Sequence, residues 1–175
     1  MELIHECSAK SRTEFLATAE NPYHFADSGL TNVYLVGIKY YLCGECREIV
    51  AEIPAIRQLL ALIARDLVEK SDALAPEEIR FLRKRLRKKQ IDFGKEIGLR
   101  PETLSRIENG ETRVNERVDK IIRLYYAFQS QDTVLLEKFK NELQSIFASW
   151  KYSLAPSKII ATVKDNEWEA DLIAA

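Results

Sequence analysis

The sequence predicts an α+β chain, mainly α, in which a small N-terminal β-hairpin module precedes a bundle of short helices. Three observations predict it. Val33 to Leu42 is dense in β-branched and aromatic residues, and a second such run, Ile49 to Ile53, follows six residues later. From Pro54 onward the apolar residues recur at i, i+3, i+4 and i+7, the period of an amphipathic helix. Gly98 and Asn109-Gly110 then cut residues 73–128 into short helical lengths.

The 175 residues allow one or two small domains, and 46% hydrophobic residues suffice for a core. No apolar run approaches the roughly 18 residues a membrane helix needs. Residues 1–7 lack the basic start and apolar stretch of a secretory signal. Three cysteines cannot all pair within one chain. A cytoplasmic protein with no membrane partner is expected. Six glycines and five prolines exclude fibrous and low-complexity classes. The net charge of −1 hides an asymmetry: residues 1–76 carry −4, 77–123 carry +5 and 129–175 carry −2. A basic middle between acidic ends points to a polyanion met by the middle alone.

Residues 1–53 form the β module. Cys43-Gly44-Glu45-Cys46 turns the chain at the tip of an antiparallel hairpin, and Asp27-Ser28-Gly29 is a turn before the first long strand. Residues 54–72 are a connecting helix and linker. Pro54 suits its first turn, where a missing N–H costs nothing. Its stripe of Ile56, Leu59, Leu60, Ile63 and Leu67 either packs on a neighbouring domain or forms a dimer face.

Residues 73–128 are read as four helices. Pro76 opens the first, which buries Ile79, Leu82 and Leu86. The second runs from about Gln90 to Ile97 and ends at Gly98 as a left-handed cap. The third starts near Pro101, buries Leu104 and Ile107, and ends at Asn109-Gly110. The fourth carries Val118, Ile121, Ile122 and Tyr125 at helical spacing. Residues 129–155 hold a further helix with Asp132 as N-cap and a stripe from Leu136 through Phe139, Leu143, Ile146 and Phe147 to Trp150; Pro156 limits it. Residues 156–175 are acidic and read as a mobile tail. The end, Leu172-Ile173-Ala174-Ala175, is a frayed terminus, a protease-addressing signal, or the end of a segment in which Trp168 folds back on Trp150.

Gln90 to Gly110 carries the most information. Two short helices around a glycine-containing turn fit a helix-turn-helix, and Gly94 supplies the small residue where they touch. The segment resembles the Cro/C1 (Xre-type) helix-turn-helix family through Gln90, Gly98 and Ile107-Glu108-Asn109-Gly110. The resemblance implies that Arg100, Pro101, Glu102, Thr103 and Arg106 lie on the groove-facing side. Of these, Arg100, Glu102, Thr103 and Arg106 are the expected base readers. Arginine pairs with guanine O6 and N7, glutamate accepts from cytosine N4, and a threonine methyl meets thymine. Lys89, Gln90, Asn109 and Arg113 flank that face and suit phosphate contacts. Seven of the ten residues from Arg80 to Lys89 are basic, and some of them are expected on DNA.

Cys43-x-x-Cys46 has the spacing of a zinc knuckle, and Cys7 with His5 or His24 would complete four ligands. Zinc is the one expected cofactor, with Cys43, Cys46, Cys7 and His5 as the ligand set; ordinary buried thiols or a redox pair are the alternatives. Asn32 to Val36, the C-x-x-C hairpin, the Ile53-Pro54 step into a helix, and Glu78 to Lys84 together resemble the MqsA-type antitoxins. That resemblance implies an N-terminal zinc-finger-like domain that binds a toxin and a C-terminal domain that binds operator DNA. The expected protein is a homodimeric repressor, the antitoxin of a toxin–antitoxin pair; a metal- or redox-responsive regulator without a toxin is the alternative. The chain is not expected to be an enzyme: it has no H-E-x-x-H, P-loop, G-x-S-x-G or glycine-rich nucleotide loop.

Overall fold

A computed structural model describes residues 12–149, 158–164 and 167–173. The chain divides into two compact units, Met1–Leu136 and Glu137–Ala175. The β module, the connecting helix and residues 73–136 therefore share the first unit.

The module contains β1 (Arg12–Leu16), β2 (Tyr23–His24), β3 (Tyr34–Leu35), β4 (Lys39–Cys43) and β5 (Ile49–Glu52). β1, β4 and β5 make an antiparallel sheet in the order β1-β4-β5, and β2 pairs with β3 in a second, two-stranded sheet. The single strand expected over Val33 to Leu42 is thus two strands. Gly37 breaks it at φ 80°, a conformation glycine adopts without steric cost. At the break the chain turns to Ala17: Gly37 N donates to Ala17 O at 2.8 Å and Ala17 N to Ile38 O at 2.9 Å. Ala17, Phe25, Leu35 and Ile38 form the module's core. The hairpin tip follows the expected plan. Cys43 N donates to Glu48 O at 2.9 Å and Arg47 N to Cys43 O at 3.1 Å, which closes the turn.

Helix α1 (Ile56–Glu69) starts two residues later than Pro54. Ala55 is left-handed and its carbonyl accepts from Gln58 N and Leu59 N, so Pro54 lies outside the first turn. Leu59 and Leu60 pack on the module's core, while Ala64, Leu67 and Val68 are buried. The stripe serves the connector role, although Ile56 remains 37% exposed.

The helical region contains α2 (Pro76–Arg85), α3 (Gln90–Glu96), α4 (Pro101–Glu108), α5 (Glu116–Ser130) and α6 (Thr133–Ser149). Ile79, Leu82, Phe93, Leu104, Ile122 and Leu135 are its fully buried large side chains. Leu86, expected inside, is only half-buried because it caps the end of α2. On α5 only Ile122 of the four expected residues is buried; Tyr126 and Ala127 continue the inner face. That face also takes a charge pair. Arg123 Nε donates to Asp119 Oδ2 at 2.7 Å. The same guanidinium donates to the carbonyls of Leu67, Val68, Lys70 and Asp72 at 2.6–3.0 Å. Asp119 in turn accepts from Leu74 N at 2.7 Å. One arginine thus satisfies the carbonyls that the end of α1 leaves without helical partners.

Asp132 caps α6 as expected, accepting from Val134 N at 3.0 Å and Leu135 N at 3.3 Å. It also takes a forked contact from Arg65 of α1 at 2.9–3.2 Å. Trp150 and Pro156 lie outside the described residues.

The second unit holds paired strands where no periodic element was expected. β6 (Lys158–Lys164) and β7 (Glu167–Ile173) pair in antiparallel register from Lys158↔Ile173 to Lys164↔Glu167. The run of Ile159, Ile160, Thr162 and Val163 favours a strand, and the register sets Val163 opposite Trp168 and Lys164 opposite Glu167. The acidic residues conceal this pattern from a composition-based reading.

Candidate nucleic-acid interface

α3 and α4 meet at a close turn. Gly98 adopts φ 73° as the left-handed cap, and Leu99 N donates to Gly94 O at 2.7 Å. A Cβ on Gly94 would stand 3.1 Å from Leu99 O and 3.6 Å from Leu104 Cδ2. The helices could not approach as they do with a larger residue at 94. Phe93, Ile97, Leu104 and Ile107 point into the core.

The other face of α4 is free for contact. Glu102, Thr103 and Arg106 are exposed, and i, i+3 and i+4 spacing puts them on one side of the helix. Arg100 is the exposed N-cap residue. Pro101 occupies the first helical position. The Arg106 side chain is 64% exposed and its Nε stands 3.6 Å from Glu111 Oε2. A surface pair of that kind contributes about 0–1 kcal/mol, so Arg106 can exchange it for a base edge.

The four expected phosphate ligands divide. Lys89 is the exposed N-cap residue of α3, and Arg113 is exposed in the loop before α5. Asn109 is the exposed C-cap of α4, and its Oδ1 accepts from Arg80 Nη2 at 3.2 Å. Gln90 is half-buried, and its Nε2 donates to Glu108 Oε2 at 3.1 Å.

Glu108 is the residue that the sequence reading passed over. Its side chain is 1% exposed. It accepts from Arg83 Nε at 2.6 Å and Arg83 Nη2 at 2.8 Å, a forked pair, and from Gln90. Arg80 Nη2 also donates to the Glu108 backbone oxygen at 2.5 Å. The hub ties α2, α3 and α4 together on the side of α4 opposite its exposed face. A carboxylate directly after the core residue Ile107, with arginines three apart on α2, was the available signal. The basic run is accordingly of mixed use. Arg80 and Arg83 serve this hub, and Lys88 pairs with Glu96 at 2.7 Å. Lys84, Arg87 and Lys89 are exposed. The Lys88 ammonium, and then the Tyr125 hydroxyl, hold the Glu96 carboxyl below its ordinary range.

The cysteine hairpin places Cys43 in a buried position and Cys46 in an exposed one. Cys7 and His5 lie outside the described residues. The His24 ring packs on Tyr34 with centroids 5.0 Å apart. Among the described residues no group of three or more His, Cys, Asp or Glu is arranged to hold a metal ion.

Residues 79–118 match a helix-turn-helix family model. This segment is a Cro/C1-type helix-turn-helix domain. The match supports a DNA-binding transcriptional regulator. The matched residues span α2, α3, α4 and the start of α5, with α3 and α4 as the helix-turn-helix pair. No curated protein and no solved structure matches the chain. Among the described residues no helix is long and apolar enough to cross a membrane.

Proposed function

We propose that the chain is a sequence-specific repressor that reads its operator with Arg100, Glu102, Thr103 and Arg106. The observation that carries the reading is the two-sided environment of α4: one side is tied down by buried Glu108, and the other presents Arg106 and its neighbours to solvent. A preorganised helix loses little entropy on entering a major groove. Lys89, Asn109 and Arg113 position the helix through phosphates. The decisive test is a gel shift on the chain's own promoter across a salt series. With about 5 phosphates contacted per subunit, the log–log slope should be about −4 to −5 per subunit. A slope near zero refutes the reading.

The repressor acts as a homodimer, since helix-turn-helix proteins commonly read two half-sites one helical turn apart. Exposed Ile121 and Phe128 on α5 support self-association. It is the antitoxin of a toxin–antitoxin pair, with the β module as the toxin-binding part and zinc as its structural metal. The resemblance over residues 23–128 supports this, as do exposed Phe15, Leu16, Tyr34, Val36 and Ile49 on the module. Co-purification with the product of the adjacent open reading frame tests the toxin. Elemental analysis tests the zinc.

A further inference from the structure

We infer that the cleft between the C-terminal ends of α2 and α5 is a binding site for a small oxyanion, the carboxylate or phosphate monoester group of a metabolite. Arg85, Leu86, Arg87, Tyr126, Gln129 and Ser130 line a space of about 300 Å³. Among the described residues its lining includes two arginines and no Asp or Glu. Asp132, whose charge acts on Tyr126, is already held by the forked contact from Arg65.

Two further observations favour an anion there. Arg85 Nε is buried and has no hydrogen-bond acceptor within the described protein, although the Tyr126 hydroxyl meets the same guanidinium. A buried charged donor without an acceptor is costly, and an oxyanion in the cleft would supply one. Arg87 ends α2 in the left-handed conformation at φ 55°, with Lys88 N donating back to Arg83 O at 3.2 Å. Glycine is the favoured residue at such a helix end. An arginine there is held against its backbone preference, and its guanidinium lines the cleft. Gln131, directly after Ser130, closes α5 in the same left-handed way at φ 54°. The planar fork of arginine matches the oxygens of a carboxylate or a phosphate, and the Gln129 amide lines the same cleft.

The test is the arginine Nε–Hε spectrum of the full ¹⁵N-labelled chain. Inorganic phosphate and succinate are titrated separately, with chloride at matched ionic strength as control. The Arg85 Nε–Hε resonance should shift saturably with at least one of the two and not with chloride. Arg87→Gly suits the left-handed position, so it should melt no lower than the parent chain while weakening the saturable shift about tenfold or more. No saturable shift, or one unaltered in Arg87→Gly, overturns the proposal. A DNA phosphate is the competing source of the same chemistry. If Arg87→Gly weakens binding to random DNA as much as Lys89→Ala does, the guanidinium belongs to the DNA contact and the metabolite site is refuted. The titration is carried out without DNA, so failure of the operator reading leaves its outcome unaffected.

Discussion

Removing the Glu108 carboxylate should cost more stability than any surface change in the helix-turn-helix domain. The side chain is 1% exposed, and its principal partner Arg83 is 12% exposed. In Glu108→Ala the Arg83 guanidinium loses both acceptors of its fork, and the Gln90 amide loses its acceptor. Breaking a buried ion pair by deleting one partner costs about 3–5 kcal/mol, because the remaining charge stays buried. At about 2–4 °C per kcal/mol for a chain of this size, Tm should fall by roughly 6–20 °C. Glu108→Gln keeps the shape and one acceptor, so its cost should be smaller. Arg83→Met combined with Glu108→Leu removes both charges and should recover most of the loss. Urea unfolding of the three variants gives the free energies, with an unchanged m-value as the check on two-state behaviour. A cost below about 1 kcal/mol for Glu108→Ala, or a double variant no better than the single one, refutes the hub as described.

Arg106→Ala should weaken operator binding by about 1–3 kcal/mol and leave random DNA nearly unaffected, whereas Lys89→Ala should weaken both alike; identical behaviour of the two in gel shifts would mean that another face reads the bases. Arg123→Met strands buried Asp119 and four carbonyls at the end of α1, and urea unfolding should show a loss of about 3 kcal/mol or more. Burial pushes the Asp132 carboxyl up, but Arg65 and the N–H groups of Leu135 and Val134 outweigh it, so the folded value lies below the ordinary one. Its contribution is therefore present above the unfolded carboxylate range and is lost as pH falls through the depressed folded value. Asp132→Asn should be less stable at neutral pH and show a shallower fall on acidification, measured by denaturant midpoints from pH 6 to pH 2. If zinc is bound, Cys43→Ser should abolish metal content and loosen the β module while the helix-turn-helix domain stays folded, which limited proteolysis would resolve; equal metal content in variant and parent would exclude Cys43 as a ligand.

What the sequence by itself determined is local. The pair α3 and α4 is legible because its signals lie within a few residues: Gly98 at φ 73°, Pro101 at the first helical position, Gly110 after Asn109, and apolar residues at helical spacing between them. The Asp132 cap and the cysteine-bearing hairpin tip are local in the same sense. Tertiary structure decided everything that depends on distant partners. Gly37 divides the expected strand because β3 pairs with β2 while β4 pairs with β1. Arg83 turns inward because the Glu108 carboxylate lies buried 25 residues away, and the partly exposed Arg80 reaches the Glu108 carbonyl 28 residues away. Arg123 leaves the solvent because the open carbonyls of α1, more than fifty residues earlier, end beside it. In each case a charged or flexible residue has several acceptable local states. Burial removes water as the alternative partner, and only the folded chain selects the state that satisfies both groups at once.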